Sequence, residues 1–95
     1  MRQLVWSRAA RNDLFDIAAY YRGLDRDLEF LMLERVETAP LVLLDFPDLG
    51  SPTRHPTIRK WRVADTPFLL FYRPARHQIE VRRVVHHARD WSIEP

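Results

Sequence analysis

Between Pro67 and His87 the chain reads PFLLFYR, a polar turn over 74–78, and then IEVRRVVHH. Two runs of aromatic, leucine and β-branched side chains on either side of so short a turn leave an antiparallel hairpin as their natural structure. A hairpin cannot stand alone in water and has to lay one face on a second layer. The remaining residues must supply that layer. With 95 residues in all, the expectation is one domain over 1–95, with a modest core and no room for a second lobe or a large enclosed cofactor cavity.

The first half reads as the covering layer. Residues 2–6 form a short strand, and Ser7 stands where a helix N-cap is needed, since its hydroxyl can accept from an orphaned backbone N–H. A helix follows to about residue 23. Its Ala10, Leu14, Ile17, Ala18 and Tyr21 recur at helical spacing as one buried stripe, while Arg11, Asp13, Asp16 and Arg22 lie mainly off it. The pattern breaks at 23–25 and resumes with Leu28, Leu31, Met32 and Val36, which predicts a second, antiparallel helix. Glu29, Glu34 and Glu37 then fall on its solvated side and carry no catalytic role. Thr38 ahead of Pro40 resembles a cap with proline in the first turn, so a last short helix is expected over 39–45, stopping before Pro47.

Gly50, Pro52 and Pro56 exclude a helix and mark 49–56 as a surface connection. Strands are expected at 58–63, 68–73 and 79–86, with turns at 65–67 and 74–78, and the middle strand is the candidate for a long central one. A strand, two helices and three antiparallel strands make an α+β domain. In it a two-helix hairpin and a short third helix pack on one face of a small, mainly antiparallel C-terminal sheet.

The formal net charge of +2 conceals a segregation that bears on partners. Residues 1–53 carry 6 basic and 9 acidic side chains, a balance of −3, whereas residues 54–95 carry 9 basic and 4 acidic, a balance of +5. All four histidines, His55, His77, His86 and His87, fall in the basic part, so protonation would deepen its positive field. The second half is therefore expected to face an anionic partner. The chain has no cysteine, which removes disulfide and thiolate-zinc chemistry, and shows neither a signal-peptide pattern nor a membrane-spanning run. The expected compartment is the cytoplasm.

Candidate functional residues cluster at the strands. Along 59–62, Lys60 and Arg62 share one face and Arg59 and Trp61 the other. Cations beside an indole suit nucleic acid, through phosphate contact and base stacking, and equally suit a core tryptophan with charged flanks. Strict alternation sets Arg83 on the face of Ile79, Val81 and Val85. There its guanidinium either waits in the open groove for a carboxylate or phosphate, or snorkels to Asp90 or Glu80. His86 and His87 are adjacent, so on a strand they point to opposite faces and cannot grip one metal together. Arg89 and Asp90 read as an internal ion pair.

The order of WSRAARNDLFDIAAYY, LDFPDLG and FLLFYR…IEVRRVVHHARDW over nearly the whole chain resembles the RelE/ParE superfamily of bacterial toxins. That resemblance implies the toxin of a type II toxin–antitoxin module, with no cofactor and no metal. Its partner would be a cognate antitoxin whose C-terminal segment wraps the helices and sheet, in a heterotetramer or larger hetero-oligomer. Two activities occur on the fold: RelE-like toxins cut messenger RNA on the ribosome, and ParE-like toxins poison DNA gyrase without being nucleases. The nuclease branch needs basic or acid–base groups around the scissile phosphate and commonly places an arginine in the middle strand. Leu69 occupies that position here, and the chain closes with Trp91-Ser92-Ile93-Glu94-Pro95, without a recognisable C-terminal tyrosine or second basic residue.

The resemblance therefore points to the ParE-like branch, a gyrase inhibitor with no turnover of its own. Its contacts with target or antitoxin are expected on Arg59, Lys60, Trp61, Arg62, Arg83, His86, His87, Arg89 and Trp91. The alternative is a ribosome-dependent endoribonuclease using Arg62, Arg83, His86 and Arg89. A third possibility is a toxin-like module that only binds an antitoxin or nucleic acid. Direct nucleic-acid binding stays open at this level, and no membrane partner is expected.

Overall fold

The computed structural model describes residues 1–87. Strand β1 (Gln3–Trp6) leads into helices α1 (Arg8–Arg22) and α2 (Arg26–Thr38) and a 3₁₀ helix (Ala39–Leu44). The two-residue β2 (Ser51–Pro52) then precedes β3 (Arg59–Arg62), β4 (Phe68–Pro74) and β5 (Gln78–His86). The sheet order is β1-β5-β4-β3-β2, with β1 parallel to β5 and every other pair antiparallel. The expected α+β architecture, helices on one face of a mostly antiparallel sheet, is what the chain forms. β4 is its central strand, and β5 is longer still, nine residues against seven.

Local chemistry starts each helix. The Ser7 hydroxyl accepts the Ala10 N–H at 3.1 Å and donates to the Arg82 carbonyl at 2.9 Å, so one side chain caps α1 and pins it to β5. Asp25 caps α2 by accepting from the N–H groups of Asp27 (2.7 Å) and Leu28 (3.3 Å). Thr38 does not cap the third helix as its sequence suggested. It is still helical, and its hydroxyl bonds back to the Glu34 carbonyl at 2.8 Å. The chain continues as a 3₁₀ helix with Pro40 in its first turn, and Pro40 has no N–H to lose there.

The α1 stripe is buried as expected, apart from a half-buried Leu14. In α2 the periodicity misleads at two positions: Leu31 is 39% exposed, whereas Glu29 is 8% exposed. Glu29 tolerates this because Arg22 bridges to it from α1 at 2.8 Å, satisfying a carboxylate that would otherwise be costly to bury. The stretch read as a plain surface connection also contributes β2, which pairs Ser51 with Lys60 and Pro52 with Arg59 at the sheet edge, where a proline is admissible.

An irregularity in the β4–β5 ladder decides which face each β5 side chain takes. Tyr72 lies opposite Val81 and Phe71 opposite Arg83, so Arg82 has no partner across the ladder, a β-bulge. The bulge shifts the alternation by one residue. Ile79, Val81 and Val84 join Leu70 and Tyr72 in the helix-side core, while Arg83 and Val85 register with Phe71 and Leu69 on the other face. Arg83 therefore does not share a face with Ile79 and Val81, because a period of two holds only while the ladder is unbroken.

Candidate functional site

Strand β3 divides its residues as alternation demands, but only part of the expected basic groove survives. Arg59 faces the helix side and is engaged there: its Nη1 donates to the carbonyls of Gly50 (2.6 Å) and Asp48 (3.2 Å), and its Nε lies 3.6 Å from an Asp48 carboxylate oxygen. The same loop is held by Tyr72, whose hydroxyl donates to Pro47 O at 2.7 Å and accepts the Gly50 N–H at 2.9 Å, while burial pushes its pKa up. Gly50 is required there, because a Cβ would come within 2.6 Å of the Lys60 carbonyl oxygen. Trp61 packs against the core and its indole N–H donates to Ala39 O at 3.1 Å. This fits the core reading of the two, although the half-buried ring also borders surface clefts.

Lys60 and Arg62 register with Phe71 and Leu69 on the opposite face. Leu69 is buried between Arg62 on β3 and Val85 on β5. A shallow cleft of ≈ 310 Å³ there is lined by Leu49, Ser51, Lys60, Trp61, Arg62, Leu69 and His87.

Arg83 is held elsewhere. Its Nε and Nη2 donate to the two Asp13 carboxylate oxygens at 2.8 and 3.1 Å, and the Val84 N–H donates to Asp13 Oδ2 at 2.8 Å. The bond to Asp13 raises the arginine's pKa still further. The reason is topological. β1 stops at Trp6, opposite Val81, so among the described residues the backbone of β5 beyond it has no neighbouring strand on that edge, and Ser7, the cap of α1, and Asp13 within it take the place of one. Among the described residues Arg83 is therefore paired with Asp13 rather than with Glu80, and Asp90 lies outside them. Asp13, which the sequence placed off the buried stripe of α1, is the partner that spacing missed. No local pattern links positions 70 residues apart.

His86 and His87 also depart from strict alternation. Their rings lie nearly parallel, 16° between planes and 5.6 Å between centroids. β5 ends at His86, and His87 turns with its N–H on Pro67 O at 2.8 Å, so strand alternation no longer separates the two rings. His86 meets the Phe68 ring edge-on at 5.8 Å and borders a second cleft of ≈ 390 Å³ with Asp13, Asp16, Tyr20, Tyr21 and Arg83. His87 borders the cleft with Arg62.

Of the nuclease set, then, Arg62 lies in one cleft, His86 in another beside an Arg83 neutralised by Asp13, and Arg89 lies outside the described residues, as do Asp90 and Trp91. Among the described residues no group of three or more His, Asp or Glu could hold a metal ion, and no helix is long and apolar enough to cross a membrane.

A helical hairpin on one face of a five-stranded mixed sheet, with Lys60 and Arg62 on the face away from the helices, defines a small α+β protein. Residues 4–91 match the family described as ParE toxin of type II toxin-antitoxin system, parDE, and the chain belongs to that family. It is 30% identical over 90 residues to the protein Y4kP of Sinorhizobium fredii, spanning 95% of this chain and 93% of that one. A solved structure described as the chromosomal ParDE TA system from P. aeruginosa superposes with a TM-score of 0.77 at 24% identity. That match covers 90% of this chain and 96% of the other, and it shows the shared fold.

Proposed function

We propose that this chain is a toxin that binds DNA gyrase and blocks its activity, and that a cognate antitoxin neutralises it. The observation carrying this reading is Leu69: within a toxin family, the strand position at which the nuclease relatives carry an arginine holds a buried aliphatic side chain. Such a side chain can neither activate a 2′-hydroxyl nor neutralise a developing charge. The separation of Arg62 from the cleft that Arg83 and His86 border, and the engagement of Arg83 by Asp13, support the same conclusion, since acid–base catalysis needs its groups within hydrogen-bond reach of one phosphate.

The target-facing residues in this reading are Lys60, Arg62 and His87, on the face away from the helices. Purified toxin incubated with gyrase and relaxed plasmid is expected to block supercoiling or trap cleaved DNA. Unchanged supercoiling at a large molar excess of toxin would refute the assignment. Transcript cuts within codons on translating ribosomes, lost on Arg62→Ala, would instead support the nuclease alternative.

A further inference from the structure

The outer side of the helical hairpin is apolar at its middle and charged at one end. Helical spacing puts Arg8, Phe15 and Ala19 on one line of α1 and Phe30, Glu34 and Glu37 on one line of α2, and all six residues are exposed. Each line lies opposite the stripe that its helix gives to the core, and the two stripes join one cluster through Ala10, Ile17, Tyr21, Met32 and Val36. Both lines therefore face away from the sheet. Phe15 and Phe30 stand near the middle, 72% and 71% exposed. The turn over 23–25 makes the helices antiparallel, so the start of α1 lies beside the end of α2. At that end α1 presents Arg8, with exposed Arg11 next to it, and α2 presents Glu34 and Glu37. None of these four belongs to an ion pair among the described residues. Arg35 is turned elsewhere, to the Asp65 carbonyl at 3.0 Å, and Asp16, the exposed acid of α1, borders the cleft beside β5.

We propose that, when no antitoxin lies on it, this face closes on a second copy of the chain as a two-fold, four-helix dimer. The inference goes beyond the gyrase reading and is independent of it. Two two-fold arrangements set the hairpins face to face. With the axis along the helices, α1 of each copy lies on α2 of the other, and Arg8 and Arg11 meet Glu34 and Glu37 twice over. With the axis across the helices, α1 lies on α1 and α2 on α2, each pair running in opposite directions. Glu34 and Glu37 then fall toward Asp27, and Arg8 and Arg11 toward Arg22, like charge against like. Charge complementarity therefore selects the first arrangement. Phe15 lies about 10 Å and Phe30 about 6 Å along its helix from the turn, so in that arrangement each ring comes level with, and covers, the other ring of the second copy. Two helices of this length present a footprint of roughly 20 by 20 Å, about 800 Å² over both copies, near the lower limit of about 1,000 Å² for a specific interface. The dimer is accordingly weak, with an expected dissociation constant of about 10 µM.

The test is sedimentation equilibrium of the isolated full-length toxin from about 1 to about 100 µM, a range that brackets the expected constant. A monomer–dimer equilibrium is expected. Arg8→Glu with Arg11→Glu makes the charged end acidic throughout, and Glu34→Lys with Glu37→Lys makes it basic throughout. Each double variant is expected to weaken its own dimerisation by about 10-fold. Mixed in equal amounts, the two are expected to recover the parent affinity as a heterodimer, because each copy again meets the opposite charge at both contacts. Both exchanges suit their helices, with acids at the start of α1 and cations toward the end of α2, and thermal melting verifies that each variant is folded. Phe15→Ser with Phe30→Ser is expected to abolish the dimer. A parent that stays monomeric at every concentration overturns the proposal and leaves the face to the antitoxin alone. Double variants that dimerise like the parent, or that fail to associate on mixing, overturn it as well. A supercoiling assay does not bear on this result: a monomeric toxin leaves the gyrase assignment standing, and unaffected gyrase leaves the dimer standing.

Discussion

Asp13 receives three donors at once, the Arg83 Nε and Nη2 and the Val84 N–H, and so closes the edge of β5 where β1 has run out. Its side chain is 12% exposed and that of Arg83 is 31%, so the contact is partly shielded and worth more than a surface ion pair. Replacing Asp13 with Ala leaves an arginine and a backbone N–H without their acceptor. The expected cost is about 2 kcal/mol, measured by urea denaturation. In a double-mutant cycle, Arg83→Ala in the Asp13→Ala background should cost clearly less than in the parent, because the interaction is already lost. Additive effects would show that the two residues contribute independently.

At the scale of elements, the helical hairpin is fastened by Arg22 of α1 and Glu29 of α2. The hydrogen bond from Arg22 holds the Glu29 carboxyl below its ordinary value of 4.5, against an opposing push from burial. A carboxyl depressed in the folded state binds fewer protons there than in the unfolded chain. Its contribution is therefore present above the ordinary value and is lost as pH falls through the folded one. Chemical denaturation of the parent and of Glu29→Gln is expected to show a stability gap at pH 7 that narrows between about pH 5 and pH 3. A gap independent of pH would mean that Glu29 contributes by packing alone.

Over the whole molecule, the two layers have different surfaces. Among the described residues the sheet face away from the helices carries Lys60, Arg62 and Arg73, whereas the helical hairpin exposes Phe15 (72%), Phe30 (71%) and, in its turn, Leu24 (62%). Apolar surface of this kind on a small protein marks an interaction site or an aggregation liability. The antitoxin is the partner expected to cover it. Phe15→Ser with Phe30→Ser should leave stability within about 0.5 kcal/mol of the parent for each site, since both rings are exposed. The same double variant should reduce self-association of the isolated toxin in sedimentation velocity. Unchanged sedimentation would place the liability elsewhere.

The class of fold was legible in the chain because its signals are local: Ser7 and Asp25 as caps, the stripe from Ala10 to Tyr21, the prolines and Gly50 that stop helices, and the apolar runs of β4 and β5. Leu69, too, stood out through the resemblance, as an apolar side chain at the strand position where the nuclease branch commonly carries an arginine. The composition of the candidate site was not legible. Along 59–62 alternation separates Arg59 and Trp61 from Lys60 and Arg62 but leaves open which face is core, and only the packing of the 3₁₀ helix and the loop after it makes Arg59 tie down that loop and Trp61 enter the core. The bulge at Arg82 moved Arg83 to the other face, and Asp13 reached it from 70 residues away. Caps, stripes and turns are set by interactions within a few residues, which sequence spacing records. Which arginine is neutralised and which stays open is decided by contacts between distant segments, and these exist only once helix and sheet have packed.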